Sequence, residues 1–252
     1  MTELTPLAFY TRHLGDNSLV LSQRLCAWCG FAPELEIDLA LANIGLDLLG
    51  QARNLLTYSA SLTDSTLDED QLAYGRDERQ YTNVLLAEQP NGEFSDTLVR
   101  QYLMDAWHLP LYQRLVESRD PGLAAIAAKA VKEVRYHLRF SRGWLVRLGQ
   151  GTALSNQKMQ QALDNLWRFS GEMFVASPQE QALAEQGIIP AAESLKAPWL
   201  AEVHSGIADA GLVLPASVPY RTGGKQGLHS EHLGPLLAEM QYLQRAYPGQ
   251  QW

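Results

Sequence analysis

Apolar residues recur every three or four positions along most of the chain, whereas strict alternation of apolar and polar positions is scarce. The first spacing is typical of the buried face of an α-helix, and the second would be expected of a half-buried strand. The pattern therefore predicts an all-α protein, whose helices can be delimited by capping residues, prolines and glycines.

Four long helices are predicted, in two pairs. Asp16 or Asn17 can accept hydrogen bonds from the free N–H groups of a first turn, and proline is favoured at the first helical position. Only a few residues separate the members of each pair, so each pair should form an antiparallel helical hairpin. The four helices run from Asp16 to Gly30, from Pro33 to about Leu62, from Ser95 to about Ser118, and from Asp120 to Gly149 or Gly151.

A long link, about residues 63–94, joins the hairpins and should contain a short helix around residues 76–88. Such a crossover is expected of a ferritin-like four-helix bundle rather than a simple up-down bundle. Additional C-terminal helices are predicted at about 155–174 and 230–247. No break in composition marks a second domain. Residues 1–252 are therefore predicted to form a single ferritin-like domain, with a bundle core of about 16–149 and a helical extension of about 155–252.

The second predicted helix is apolar on most of its sides. A helix with so wide an apolar face should be covered by protein on more than one stripe. The rest of the chain, a partner chain or both could supply that cover. The apolar positions are Leu35, Ile37, Leu39, Leu41, Ala42, Ile44, Leu46, Leu48, Leu49, Ala52, Leu55 and Leu56.

Composition narrows the classes of function. Acidic residues outnumber basic ones by 28 to 20, and no run of Lys or Arg is interleaved with aromatic residues, so nucleic acid is not an expected partner. No uncharged stretch of about 18 residues predicts a membrane span, and the first residues lack the pattern of a secretory signal. With two Cys in 252 residues, a disulfide framework is not expected, and a cytoplasmic location is predicted.

The two cysteines form the motif Cys26-Ala27-Trp28-Cys29. A redox CxxC usually follows a strand at the start of a helix, whereas this one falls late in a helical pattern. A zinc site would need two further ligands. The interpretation favoured by sequence is that both are small buried core residues, because free cysteine is among the most buried residue types.

A di-iron carboxylate bundle needs six inward ligands: one Glu from each of two helices and a Glu-x-x-His pair from each of the other two. In the third helix Asp105 lies on the predicted core stripe, with His108 three residues on. In the fourth helix His137 lies on the stripe, Val134 occupies the position three residues before it, and Glu133 lies on the flank. The last two helices thus offer only part of a ligand set.

The first two helices offer still less. Residues 17–33 contain no Asp, Glu or His, and the polar residue in the middle of the first helix is Gln23. In the second helix, Leu48 and Gln51 stand at the three-residue spacing where Glu and His would be required. Asp105 and His137 are therefore expected to be buried polar groups that satisfy each other, Glu133 or a trapped water.

Three stretches together resemble a known family: LGDNSLVLSQRLCAWCGFAPELEIDLALANIGLDLLGQARN, KEVRYHLRFSRGWL and YRTGGKQGLHSEHLGPLLAEMQYLQ. The chain closely resembles, over essentially its whole length, the structural C subunits (PaaC) of bacterial 1,2-phenylacetyl-CoA epoxidase, also called ring-1,2-phenylacetyl-CoA monooxygenase. The resemblance implies a ferritin-like fold and a role in phenylacetate degradation.

The resemblance also implies a heteromeric complex, with two copies of this chain and two of a homologous catalytic A subunit; other epoxidase components are further candidate partners. The A subunit would hold the di-iron centre and bind the thioester. The complex would convert phenylacetyl-CoA, O2 and NADPH to the ring-1,2-epoxide. This chain would be non-catalytic and hold no cofactor, because the ligand positions of the A subunit fall here at Gln23, Leu48, Gln51, Asp105, Val134 and His137. Such positions are interpreted as vestigial.

Two alternatives and two minor motifs stay open. The chain could be a self-sufficient metal-binding oxidase using Asp105, His108, Glu133 and His137, or a homomeric helical scaffold. His229-Ser230-Glu231-His232 resembles a metal pair, but Ser230 or Glu231 would serve as helix caps. The loop RTGGKQG (221–227) could cradle an anion such as a CoA phosphate, yet a solvated turn is favoured because no strand precedes it.

Overall fold

The computed structural model describes residues 4–63, 67–216 and 219–250, and in these ranges the regular structure is entirely helical. The predicted all-α class is confirmed. Ten α-helices are present in the described ranges: α1 (Pro6–Cys26), α2 (Leu35–Ser61), α3 (Glu69–Tyr74), α4 (Phe94–Leu115), α5 (Pro121–Gly149), α6 (Ala153–Leu166), α7 (Pro178–Glu185), α8 (Lys196–Asp209), α9 (Leu233–Met240) and α10 (Tyr242–Ala246). Short 3-10 helices cover Glu78–Gln80, Trp167–Phe174, Ala192–Leu195 and Gly224–Gln226.

The chain divides into two compact units. Unit 1 comprises residues 1–89 and 223–252, and unit 2 comprises residues 90–222. Each unit contains one of the two predicted hairpins, α1 with α2 and α4 with α5. The prediction of a single domain over residues 1–252 stays a prediction.

In unit 1, α1 and α2 pack antiparallel at close range. Near one end the Ser59 hydroxyl donates to the carbonyl oxygen of Ala8 at 2.8 Å. Near the other end the Ser22 hydroxyl donates to the carbonyl oxygen of Gly45 at 2.7 Å. Between these points Gly15 lies so close to α2 that an added Cβ would come within 2.9 Å of the Leu56 side chain. Small residues therefore set the close packing of this hairpin.

The first helix begins ten residues earlier than the predicted start at Asp16. Thr5 caps it by accepting a hydrogen bond from the N–H of Ala8 at 3.2 Å, and Pro6 occupies the first turn. Asp16 and Asn17 are instead buried in the middle of α1. The prediction of a cap at these two residues is wrong, since their side chains bind other parts of unit 1 rather than the helix's own N–H groups.

Asp16 is the acceptor of a buried ion pair. The Arg76 guanidinium donates through Nη1 to Asp16 Oδ2 at 3.0 Å and through Nη2 to Asp16 Oδ1. The N–H and hydroxyl of Thr82 also donate to Oδ2, at 2.9 and 3.1 Å. Burial alone would lower the pKa of Arg76, but the Asp16 carboxylate raises it above the ordinary value. This pair fastens the middle of α1 to the link.

The link itself is mostly irregular, and its later part is buried. The short helix predicted at about 76–88 is wrong in position, because the described helix, α3, occupies Glu69–Tyr74 and only a 3-10 turn follows. Residues 81 and 83–89 are buried without forming an α-helix. Several of their backbone groups bond to side chains: Asn17 Oδ1, for example, accepts from the N–H of Val84 at 2.8 Å.

In unit 2, the hairpin of α4 and α5 is packed by α6 and α8. The predicted bounds of α4 and α5 are confirmed within a few residues. Helix α8 lies between the helices predicted at about 155–174 and 230–247, in a stretch for which no helix was predicted. Trp199 anchors it: the indole packs against Trp167, with ring centroids 5.5 Å apart, and Nε1 donates to the carbonyl oxygen of Leu103 at 2.9 Å.

Candidate functional site

Asp105 lies in the interior of unit 2, in the middle of α4, and is completely buried. Its Oδ1 accepts a hydrogen bond from Gln101 Nε2 at 2.7 Å, and its Oδ2 accepts one from the Ser141 hydroxyl of α5 at 2.8 Å. Burial raises the pKa of Asp105 to about 6, although nearby His137 and both hydrogen bonds act in the opposite direction. The carboxylate is thus costly to ionise and already engaged by two donors.

The sequence placed Asp105 correctly on the core stripe but missed Gln101 as its partner. Gln101 is one turn before Asp105 on the same helix, and it is buried as well. A side-chain amide four residues before a buried carboxylate on the same helix is the sequence signal that could have identified the pair.

His137 and Val134 are both buried on α5, as the predicted stripe requires. His137 is close enough to Asp105 for its charge to lower the pKa of that carboxyl group. Glu133 is half-buried at the flank. His108 is buried on α4 between aromatic neighbours, 5.1 Å from Trp107 and 5.8 Å from Tyr112 between ring centroids. The structure therefore brings Asp105 and His137 together.

The three candidate positions of unit 1 carry no strong metal ligand. Leu48 and Gln51 are buried in α2, and Gln23 is half-buried in α1. The leucine side chain has no donor atom, and glutamine offers only a neutral amide where iron pairs are bound by carboxylates and imidazoles.

The residues at these six positions do not fit a di-iron centre. Leu48 and Val134 cannot coordinate a metal, and both oxygens of Asp105 already accept hydrogen bonds. Across residues 4–63, 67–216 and 219–250, no three His, Cys, Asp or Glu side chains group so that they could hold a metal ion. No chemical step through iron can be derived for this chain.

His229 in unit 1 has a structural partner that the sequence did not reveal. Its Nδ1 lies 2.7 Å from Glu88 Oε2 and its Nε2 lies 3.0 Å from the carbonyl oxygen of Tyr81. The N–H of Ser230 donates to Glu88 Oε1 at 2.6 Å. Burial lowers the pKa of His229, but the hydrogen bond and charge of Glu88 outweigh it and raise the pKa above the ordinary value.

The metal-pair resemblance of His229 and His232 therefore has a different explanation. Both ring nitrogens of His229 face oxygen atoms within unit 1, and the helix that follows begins at Leu233, later than predicted. His232, not Ser230 or Glu231, stands at the position before the helix, so the predicted capping role is wrong. The motif instead connects the C-terminal segment to Glu88 of the link.

The glycine-rich loop is packed rather than solvated, so the favoured interpretation of a solvated turn is wrong. Residues 223–225 and 227 are buried. A Cβ on Gly224 would overlap the carbonyl oxygen of Asn83, and one on Gly227 would overlap that of Arg79. Gly227 also has a φ of +73°, in the region that favours glycine. Gly224 and Gly227 thus lack a side chain at the points where the loop packs against the link.

Both cysteines of the CxxC motif are exposed free thiols. The prediction that they are buried core residues is wrong, because α1 ends at Cys26 and the chain leaves the hairpin core there. The Cys26 sulfur lies over Gly45 of α2, where an added Cβ would be 3.1 Å away.

One face of α2 is apolar and exposed. We call the side chains Leu35, Leu39, Leu46 and Leu49 the leucine stripe; they are spaced by four, seven and three residues, which places them on one side of the helix. Leu35 is 70% exposed, Leu39 56% and Leu46 61%. Phe31, in the preceding turn, is exposed as well. The rest of the described chain leaves this stripe uncovered, although the opposite face of α2 is buried.

The helical hairpins and the buried polar core define a protein of the ferritin-like class. Residues 2–252 match the family described as phenylacetic acid catabolic protein, and the chain belongs to that family. It is 66% identical over 249 residues to the C subunit of 1,2-phenylacetyl-CoA epoxidase from Escherichia coli (strain K12); the match covers 99% of this chain and 100% of that protein. The resemblance inferred from the three sequence stretches is confirmed.

Among the residues that the structure describes, no helix is both long and apolar enough to cross a membrane.

Proposed function

We propose that this chain is the non-catalytic structural subunit of a multicomponent phenylacetyl-CoA 1,2-epoxidase, and that it binds and stabilises a homologous di-iron catalytic subunit in the cytoplasm. The observation that carries the proposal is the 66% identity to the C subunit of the E. coli epoxidase over the full length of both chains. A subunit of an enzyme has a partner chain by definition, and this chain has a surface suited to one.

The leucine stripe supports the partner-binding part of the proposal. Burying a fully exposed leucine side chain stabilises by about 1.5–3 kcal/mol, and each leucine of the stripe can gain the part of this that corresponds to its exposed fraction. A contiguous exposed apolar patch on a helix is typical of an interface. The stripe therefore offers a helix face against which the catalytic partner can pack.

Helix α4 exposes little surface to a partner. Sixteen of its twenty-two residues are buried, including both ring-bearing neighbours of His108. Its exposed residues are confined to Gln113 and Arg114 near the C-terminal end. The interface proposal therefore rests on α2.

The chemistry of the core supports the non-catalytic part of the proposal. An iron pair needs anionic oxygen ligands from several helices. Here Asp105 is held by Gln101 and Ser141, and Leu48 and Val134 are without donor atoms. No observation favours the alternative metal site of Asp105, His108, Glu133 and His137 over this interpretation.

One experiment separates the proposal from both alternatives. The chain is produced alone and together with the catalytic A subunit, and iron per chain and co-elution in size-exclusion chromatography are measured. We expect background iron in the lone chain and a stable co-eluting complex, for which light scattering tests the proposed two copies of each subunit.

Two results would contradict the proposal. Stoichiometric iron in the lone chain would favour the self-sufficient metal-binding oxidase. A stable metal-free homomer that never co-elutes with the A subunit would favour the homomeric scaffold.

A further inference from the structure

The two cysteines form an exposed pair at the turn between α1 and α2. Cys26 is the last residue of α1, and the N–H of Cys29 donates to the carbonyl oxygen of Cys26 at 3.0 Å. A turn closed by such a bond brings the first and fourth Cα atoms within about 7 Å. Disulfides span Cα separations of about 4.4–6.8 Å. The backbone therefore already holds the two cysteines at a distance that a disulfide can bridge.

Hydrogen bonds fix this turn on both sides. The N–H of Trp28 donates to the carbonyl oxygen of Leu25 at 3.0 Å, and the N–H of Phe31 donates to that of Trp28 at 2.8 Å. Gly30 has a φ of +81°, and its N–H donates to Asp38 Oδ2 of α2 at 2.7 Å. The turn is thus anchored to α2, so closing a bond between its thiols requires rotation of exposed side chains rather than a rearrangement of the backbone.

We infer that Cys26 and Cys29 are a reversible oxidation site, which closes to an intrachain disulfide by exchange with a low-molecular-mass disulfide such as oxidised glutathione. The thiolate of one cysteine attacks a sulfur of the small disulfide, whose S–S bond breaks and releases one thiol. The second cysteine thiolate then attacks the mixed disulfide and releases the other thiol. The pair is oxidised by two electrons, and its two protons and two electrons appear in two molecules of small thiol.

The site should be easily reduced again. A disulfide across a loop of so few residues removes little conformational freedom from the unfolded chain, so it adds little stability to the fold. Exposed disulfides are also open to attack by small thiols and are the labile ones. Oxidation and reduction should therefore occur in the folded chain.

The test uses the purified full-length chain, treated with excess oxidised glutathione at mildly alkaline pH. The sequence contains only these two cysteines, so any disulfide within one chain joins Cys26 to Cys29. We expect two titratable thiols before treatment and none after, with intact mass lower by two hydrogens and no bound glutathione. Excess reduced glutathione should restore both thiols, and the circular dichroism spectrum should be the same in both states.

The single variants Cys26→Ser and Cys29→Ser are the matched controls. Each should stop at the mixed disulfide and carry one glutathione, because the second attack is impossible. Two unreacted thiols in the native chain, two bound glutathiones per chain, or disulfide-linked dimers as the main product would overturn the inference.

Discussion

The Asp105 carboxylate shows how far residue type and spacing lead. Its place on the core stripe of α4 followed from the helical period, and its need for partners followed from the cost of burying a charge. Of its two partners, Gln101 lies one turn earlier on the same helix and could have been inferred from the spacing, whereas Ser141 lies on α5 and depends on how the two helices pack. Burial raises the pKa of this residue, which leads to a measurable dependence of stability on pH.

The substitution Asp105→Asn should change stability in a manner that depends on pH. The pKa of Asp105 is raised to about 6 in the folded chain, above its ordinary value of 3.8, so the folded state keeps the proton that the unfolded state loses. Asp105 therefore contributes most to the stability of the native protein below pH 4, and this contribution is lost as the pH rises through 6. Asparagine cannot ionise and can still accept from Gln101 while donating to Ser141.

We expect the free energy of unfolding of the variant, relative to that of the native chain, to increase by about 1.4 kcal/mol from pH 5 to pH 7. Urea unfolding of both proteins at the two pH values measures it. A difference in unfolding free energy that is the same at pH 5 and pH 7 would show that Asp105 is ionised throughout.

Asp16 and Cys26 show where residue-scale reasoning fails. Both were assigned from statistical preference, aspartate to a helix cap and cysteine to the core. In the fold Asp16 is buried against Arg76, and Cys26 is exposed at a helix end. Each preference holds as an average over many proteins. The position of Asp16, however, depends on a counter-ion sixty residues away, and the exposure of Cys26 depends on where its helix leaves the core. Both are properties of the tertiary structure.

At the scale of elements, the helices with strong signals at both ends were predicted well. Helix α5 has Asp120 and proline at its start, and the Asp120 side chain accepts from the N–H of Leu123 at 2.7 Å. Helix α1 carries an equally strong signal at its start, Thr5 followed by Pro6, but Asp16 and Asn17 within the helix resemble capping residues as well. Helix α8 was missed because its anchor, Trp199, makes contacts far along the chain that no local pattern encodes.

The glycine-rich loop gives a prediction at this scale. Gly224→Ala should destabilise the fold, because the new Cβ would overlap the carbonyl oxygen of Asn83, and a backbone atom in a buried link cannot move aside easily. We expect a loss of about 1–3 kcal/mol, the usual cost of overpacking. Denaturant unfolding measures it.

Gly143→Ala is the control for that substitution. Gly143 lies inside α5 with no atom within 4 Å of an added Cβ. Alanine should there stabilise the helix by about 0.5–1 kcal/mol. Equal effects of the two substitutions would show that the loop does not press on the link as described.

At the scale of the whole molecule, the sequence showed that α2 is apolar on most of its sides. It did not show which of these sides are buried in the core and which are exposed. Leu41, Ile44 and Leu48 are buried, whereas Leu39 and Leu46 are exposed. Helical phase alone cannot say which part of a wide apolar face the same chain covers. The division between core and surface leaves the leucine stripe exposed, and this exposure is the basis for proposing it as the partner-binding surface.

The double substitution Leu39→Ser/Leu46→Ser should weaken binding to the catalytic A subunit. Losing the burial of two leucines should raise the dissociation constant about tenfold or more for each side chain. Leu154→Ser is the matched control, since Leu154 on α6 is also 61% exposed but lies outside the stripe. Calorimetry or interferometry with the A subunit measures the constants, after circular dichroism has shown that both variants fold. Unchanged affinity of the double variant would place the interface elsewhere.

Unit 1 is assembled from two stretches of chain, one synthesised before unit 2 and one after it. Residues 90–222 lie between them and form unit 2, which is continuous in sequence. Chains are synthesised from the N-terminus, and domains generally fold as they emerge. Glu88 therefore meets His229 and Ser230, its hydrogen-bonded partners, only after unit 2 has been synthesised. The α1–α2 hairpin spends that interval without its C-terminal segment, and the nascent chain is most exposed to aggregation and to chaperones at this stage.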